Sequence, residues 1–527
     1  MNSPAELTSD AFVRRTGAAA TSSIGSLVLP AYLLLCLASL VPFVLVDQPP
    51  IVDFANHAAR LFLACNAGNP AVADMYHYRL GFIPNLAVDL VNLPLCGIAA
   101  PVTVLKAVTA GSLLLIYASA WLIQRKLFGR PNAFLFALPA IALNLVTTMG
   151  YMNFLAGIAL SMLLVAVTLG REDKFRLLVP LCNLAGLLIF FCHIFALAFA
   201  LLFFFGLQLG RGPLTARRFV EAGVRTGVLF ALPLMLVLFV PGDGDALKID
   251  YVGKIRMVVA PFMTQHPGVG IFGLVLLAPL YLLIRNGIVS VHPTLRAPLI
   301  AIAAYVVLVP SGIQDAVDVD ARTLVALLYL FFTALQPLRQ ERNVVAAVTA
   351  SSALLVAVEL WATFAVWQPF SREVTEFRQA SAALPSGAKV FSVTETDIPA
   401  GAAFPLAYSH LASYATVDRA IFNPLEFTGI GMQPLSATPK FASVDTPSAL
   451  PFSTSNALQM KHPTAQFERR ARRTNAEFGL RWPEKFDYVI YYHFRHGPNF
   501  DPATLTLVRQ GSFFSILKVK RPSRTRD

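Results

Sequence analysis

Charge is what this sequence has least of. Asp, Glu, Lys and Arg make up only 14% of its 527 residues, where a soluble globular chain carries about 25%. A chain so depleted cannot cover its own surface in water, which excludes an ordinary soluble fold. Cysteine is scarce too: Cys36, Cys65, Cys96, Cys182 and Cys192. None has metal-ligand spacing, which excludes a cysteine metal site. Cys65 and Cys96 could pair if both lie outside the cell, but small buried free thiols are the expectation. No cysteine follows Cys192, so disulfides do not hold the C-terminal part together. An internal repeat at helix-bundle period is also missing.

What is present is apolar: 56% hydrophobic residues and a mean hydropathy of +0.61. The net charge is +12. The basic residues are dispersed in short loops between apolar runs, which is a signature of membrane topology and not of nucleic-acid binding. No cleavage site follows the apolar run 26–46, so it is expected to be an uncleaved first span. The polar tail 1–24 is expected to be cytoplasmic and disordered.

A helix needs about 20 apolar residues to cross a bilayer. Candidate spans are 26–46, 101–123, 132–149, 153–170, 177–192, 194–210, 226–241, 268–285, 297–313, 321–338 and 344–367. Alternation from a cytoplasmic N-terminus puts Arg125, Lys126 and Arg130 inside. Arg171, Lys174, Arg176, Arg217, Arg218, Arg339 and Arg342 fall inside too. The turns near Gly150, His193 and Gln314 fall outside and carry no Lys or Arg. The orientation depends on the apolar stretch 84–98, which is read as an interfacial helix on the outer face because it holds Asn85, Asp89, Asn92 and Pro94. The consequence is a large first outer loop, 47–100, within a transmembrane region 25–368. The C-terminal domain, 369–527, lies outside with it.

From Ser371 the composition turns polar. A helix is expected over 371–383 and a strand over 388–394. A second strand, FDYVIYYH, covers 486–493. A closing strand pair is expected over 504–509 and 513–520, with helical patches at 404–414 and 465–478. Together these make a small α/β domain.

Candidate chemistry gathers on the outer side. Asp53, His57 and Arg60 are spaced i, i+4, i+7 and share one helix face. A carboxylate there can act as a general base, and Arg or His can bind phosphate. The bland alternative makes Asp53 an N-cap and Arg60 a solvated side chain. Asn153 follows Tyr151 in the turn TTMGYMNF, and His193 sits in FFCHIF. A further outer loop holds Lys248 and Arg256. The run SGIQDAVDVDARTL ends on Arg322, at the mouth of a span, where a guanidinium can reach a lipid phosphate. Its acidic residues are read as a solvated turn rather than a metal site.

On these features the chain resembles the GT-C class of polytopic glycosyltransferases. The likeness lies in the long first outer loop with Asp53 in VDFANHAAR, the uneven bundle of about eleven helices, and the outer domain with FDYVIYYHF and LVRQGSFFSILKVKR. The segment HLASYATVDRAIFNPLEFTGIGMQPL also looks like segments of bacterial members. The resemblance implies a multi-pass protein of the bacterial inner membrane, with its C-terminal domain in the periplasm. It implies an inverting transfer from a polyprenyl-phosphate-linked sugar to an envelope glycan, lipid or protein acceptor. Asp53 would be the base. Arg322, Lys248 and Arg256 would steady the leaving phosphate. His57, Arg60, Asn153 and His193 would line the substrate site. Many members carry a paired acidic motif in the first loop; here Asp53 stands alone, with Asp74 far along. No cofactor follows from this, and a divalent metal is left open. The rival readings are a transporter or flippase, which the missing repeat disfavours, and a non-catalytic partner in polysaccharide assembly.

Overall fold

The computed structural model describes residues 25–240, 247–248, 254, 257–262, 265, 267–313, 316–338, 342–395, 405–428, 433–445, 452–453, 457, 460–473, 477–494 and 500–521. The N-terminal tail, Arg256 and the basic end from 522 lie outside those residues.

The first apolar run is helix α1, Gly25–Leu45. The loop expected outside, 47–100, then folds into α2, Phe54–Cys65, and α3, Pro70–Met75, followed by α4, Ala87–Asn92. Helix α5, Pro101–Phe128, starts on a proline and stops on Gly129, which takes a left-handed φ of 73°; each residue suits its end of a helix. The segment expected to span at 132–149 is instead broken. It comprises two 3₁₀ turns, Ala133–Ala137 and Pro139–Ile141, and a short α6, Leu145–Met149. Pro139 lacks an amide proton and clashes with the preceding turn. Asn144 restarts the chain, its side chain accepting from the Val146 and Thr147 amides.

Helices α7, Met152–Thr168, α8, Phe175–Cys192, and α9, Ile194–Leu209, follow. The expected span 226–241 is also corrected. It is a bent pair, α10, Ala216–Leu229, and α11, Ala231–Val237, meeting at 85°. Pro233 disrupts the hydrogen bonds across the joint. Helices α12, Pro267–Arg285, α13, Pro293–Leu308, and α14, Val319–Ala334, complete the bundle with α15, Arg342–Ser381. Among the described residues four helices are long and apolar enough to cross a membrane, or five if the bent pair is one span. The bundle is thus uneven, as expected, with several of its apolar segments short or broken.

The stretch 84–98 holds only six-residue α4 and a 3₁₀ turn, Leu93–Leu95. Six residues rise about 9 Å, far short of a hydrocarbon core of about 30 Å. Ala87, Val88, Asp89 and Asn92 are buried, while Leu90 and Val91 are exposed. The turn brings Cys96 against Cys65, and the two form a disulfide with Cα atoms 5.4 Å apart. The expectation of two free thiols there is corrected. Cys36, Cys182 and Cys192 are free and buried.

Helix α15 does not stop at the expected boundary. Its 40 residues run through 369 into the C-terminal domain, so the segment expected as a separate helix continues the last apolar one. The domain's sheet has β1, Val390–Thr394, β2, Phe452–Ser453, β3, Tyr488–Tyr492, β4, Leu505–Gln510, and β5, Phe514–Val519. Their order is β4-β5-β3-β1-β2, with β1 parallel to β2 and β3, and the β4–β5 hairpin antiparallel at the other edge.

Strand side chains alternate between faces, and the cores follow that period. Val390, Ile490 and Ile516 pack on Phe370, Val374 and Phe377 of α15. Phe391, Val489 and Leu517 face a second core that includes Leu63, Val72, Met75 and Tyr76 of the 47–100 loop. The loop's strand Tyr76–Tyr78 pairs antiparallel with Leu435–Ala437. The 47–100 loop and the C-terminal domain therefore share one hydrophobic core. Helix α16, Ala412–Arg419, packs against both α2 and α15.

Candidate active site

Where the bundle, the 47–100 loop and the C-terminal domain meet, they enclose a cavity of about 400 Å³. Six of the residues expected from sequence line it: Asp53, His57, Arg60, Asn153, His193 and Arg322. The C-terminal domain adds His410, Phe427, Thr428 and Gln433. Lys248 lies in a two-residue strand paired with Gly312–Ile313, and its side chain is outside the described residues, as is Arg256.

Asp53 precedes α2 but makes no side-chain cap, so the capping reading of this residue is set aside. Its backbone amide donates to the Met149 carbonyl at 3.1 Å, which hangs the start of α2 on the turn after α6. That turn needs Gly150. Its φ is 87°, and an added Cβ would stand 3.0 Å from both the Asp53 Cβ and the Ile51 Cγ2. The close approach points the carboxylate at the cavity, where it keeps 18% of its side-chain surface. Burial raises the Asp53 carboxyl to about 7; Arg322 pulls it down, Asp318 adds to the rise, and Arg60 opposes it. A carboxyl poised there suits proton transfer near neutral pH.

Arg322 comes from the first turn of α14. Asp318, in the left-handed region at φ 56°, sets that turn, and its carbonyl accepts from the Arg322 amide at 2.8 Å. The guanidinium carbon stands 3.3 Å from the Tyr151 ring centroid, and the Tyr151 hydroxyl donates to Asp318 Oδ2 at 2.7 Å. Arg322 Nε is buried with no hydrogen-bond partner among the described residues. The acidic run around it is not a uniform solvated turn. Asp320 is buried, accepting from Ser311 at 2.8 Å and pairing with Lys254 at 3.3 Å.

His193 ends α8 and caps α9, its Nδ1 accepting from the Phe195 amide at 3.1 Å. An accepting Nδ1 leaves the ring proton of the neutral imidazole on Nε2. That nitrogen faces Arg322 Nη1 at 3.4 Å. Two donors therefore converge with no acceptor between them among the described residues, an arrangement suited to an anion.

Arg60 is no solvated side chain. It is fully buried and pairs with the fully buried Asp89 at 2.6 Å. It also donates to Gln433 Oε1 at 2.6 Å and to the Asn85 carbonyl at 3.3 Å. Tyr78 donates to the other Asp89 oxygen at 3.1 Å. Asn153 grips the same stretch from the other side. Its Oδ1 accepts from the Val88 amide at 3.0 Å and its Nδ2 donates to the Asn85 carbonyl at 3.1 Å. Both side chains shape the cavity wall by fixing the 85–89 segment. His57 is buried, and its Nδ1 has no hydrogen-bond partner among the described residues. Burial first, and then Arg60, hold its imidazole well below the usual histidine range, so it is neutral.

His410 and Phe427 join the site without any expectation from the sequence. Phe427 sits edge-on between two imidazoles, with ring centroids 5.5 Å from His57 and 5.5 Å from His410. The segment that carries both stands out in the sequence, but no spacing rule links it to Asp53. Among the described residues no cluster of His, Cys, Asp or Glu has the makings of a metal site.

No family model and no curated protein matches the chain. Among solved structures it is similar to the crystal structure of ArnT from Cupriavidus metallidurans bound to undecaprenyl phosphate, with a TM-score of 0.48 and 11% identity over 94% of this chain and 98% of that one. It is also similar to the apo state of the same protein, with a TM-score of 0.49 and 12% identity over the same shares.

Proposed function

We propose that this protein is a membrane glycosyltransferase of the GT-C type, moving a sugar from a polyprenyl-phosphate donor to an envelope glycan, lipid or protein acceptor. The observation that carries this reading is the pairing within one cavity of a poised carboxylate, Asp53, with an anion-ready pair, Arg322 and His193. The basic inner loops and the Cys65–Cys96 disulfide support placing the cavity on the outer, oxidising face.

The chemistry is a direct displacement. Asp53 accepts the proton of the acceptor's hydroxyl or amine. The acceptor atom forms a bond to the anomeric carbon as the bond from that carbon to the phosphate oxygen breaks. The electron pair leaves with the polyprenyl phosphate, and configuration inverts. Arg322 and the His193 Nε2 proton meet the charge that develops on the leaving oxygen. Arg60 and Asn153 hold the cavity wall, and the C-terminal domain roofs it.

The test combines binding and transfer. Native mass spectrometry should show undecaprenyl phosphate bound more tightly than undecaprenol, with that preference lost in Arg322→Ala. Membranes supplied with a radiolabelled pool of polyprenyl-phosphate sugars should transfer label with the wild type and not with Asp53→Asn. Equal binding of the two lipids, or full transfer by Asp53→Asn at normal expression, would overturn the reading.

A further inference from the structure

The C-terminal domain contributes more than a cover. His410 closes a 3₁₀ turn, Pro405–His410, just before α16, and it is buried against α2. Its surroundings are fixed by Asn56, which is fully buried one turn along from Asp53. Asn56 Oδ1 accepts from the Phe427 amide at 2.8 Å, and Nδ2 donates to the Leu425 carbonyl at 2.7 Å. These two bonds leave the amide only one orientation. Its Nδ2 then faces His410 Nδ1 at 3.3 Å.

A donor facing Nδ1 requires the lone pair there, so the ring proton sits on Nε2. Burial holds the His410 imidazole down at about 4, so the neutral form is the one present. Nε2 stands 3.8 Å from Asp53 Oδ1. Catalytic hydrogen bonds are often long before substrate binds and tighten in the complex.

We propose that His410 is a positioning residue for Asp53, its Nε2 proton aimed at the carboxylate by Asn56, so that the base is complete only when the C-terminal domain is seated on α2. This rests on the reading of Asp53 as the base. The other groups facing Asp53 are Arg322 from α14, Asp318 just before it, Arg60 and His57 from α2, and Tyr151 from the turn before α7. His410 is the one contributed by the C-terminal domain among these described groups.

The test is the pH dependence of carbodiimide labelling at Asp53, read by peptide mass spectrometry on the full-length protein in nanodiscs. The reagent takes protonated carboxyls in apolar surroundings, so the labelling midpoint reports the proton on Asp53 whether or not any sugar is transferred. His410→Asn keeps an acceptor for Asn56 but cannot reach Asp53. His410→Gln places an amide donor near the position of Nε2.

Loss of a donor to the carboxylate raises the midpoint. His410→Asn is expected to move it upward by at least half a unit, which is about three-fold more labelling at a fixed pH above the midpoint. His410→Gln is expected to stay close to wild type. A packing role alone predicts the opposite sign, because a smaller side chain admits water and hydration lowers the midpoint. An unshifted or lowered midpoint in His410→Asn, or the same shift in both variants, overturns the proposal. Should His410→Asn not elute as a monodisperse protein, His410→Thr serves, since it too lacks the reach. A failure of the transferase reading shows separately, as transfer that survives Asp53→Asn.

Discussion

Arg322 stands over the ring of Tyr151 while the Tyr151 hydroxyl ties back to Asp318, four residues before Arg322. One tyrosine thus fixes both the guanidinium and the turn that presents it. A cation over an aromatic face is worth about 0.5–2 kcal/mol, more when desolvated. Tyr151→Phe keeps the ring and loses only the tie to Asp318. It is expected to weaken undecaprenyl phosphate binding by about two- to five-fold. Tyr151→Leu and Arg322→Lys lose the stacked planar fork and are expected to weaken it by about ten-fold or more. Native mass spectrometry against a lipid titration checks the order, and an equal effect of the two tyrosine variants would contradict it.

Gly150 has no room for a side chain. Its left-handed φ costs any other residue about 1–2 kcal/mol, and a Cβ would press on the Asp53 Cβ and Ile51 Cγ2. Gly150→Ala is expected to lower the melting temperature of the detergent-purified protein by a few degrees and to reduce transfer further than that loss explains. Gly129, with positive φ but open space around its missing Cβ, is the control. Gly129→Ala should lose stability and keep its activity per folded molecule.

The Arg60–Asp89 pair separates a structural arginine from a substrate-binding one. Removing one partner leaves a buried charge alone, at a cost of about 3–5 kcal/mol. Arg60→Leu alone and Asp89→Leu alone are expected to give little folded protein. The double variant, with no stranded charge, should recover most of the yield, measured by fluorescence-detected size exclusion. Recovery would fail if Arg60 acted chiefly on substrate in a fold indifferent to the pair.

Stability should fall as pH rises. Asp53 holds its proton to about 7 when folded and to about 3.9 when unfolded. Between those values the folded chain binds more protons. Its contribution is therefore complete below about pH 4 and is lost as pH climbs through about 7. Glu426, buried among Ser413, Thr416 and Asn423 and pushed up by burial to about 8, acts in the same direction. Melting temperatures from pH 5 to pH 8 should decline, and Asp53→Asn and Glu426→Gln should each flatten the decline. Slopes unchanged in both variants would refute this.

The outer-face reading of Asp53, His193 and Arg322 is available from the sequence because topology and distribution are local properties. Short loops expected inside advertise their arginines, and the polar residues left without a bland explanation fall at the other helix ends. Helix existence is similarly plain. The breaks at Pro139 and Pro233 are not, since apolar run length hides what a proline does inside it. The wall-building roles of Arg60 and Asn153 escape the sequence for a different reason. Their partners, Asp89 and the Asn85 and Val88 backbone, arrive only when the loop folds back on itself. His410 is furthest from reach, because its meeting with Asp53 is made by docking two domains. The disulfide belongs to the same class, depending on how α4 turns.

Helix α15 is a rod about 60 Å long at 1.5 Å per residue, rooted in the bilayer at one end and carrying the roof of the cavity at the other. A rod of that length works as a lever, moving its far tip by about 5 Å for about 5° of tilt. Helices accommodate a thinner or thicker membrane by changing tilt. On the proposed transferase reading, the thickness of the surrounding lipid is then expected to act on the candidate site through this helix. The expected outcome, measured in nanodiscs of defined acyl-chain length, is a transfer rate that peaks at one length and declines on either side.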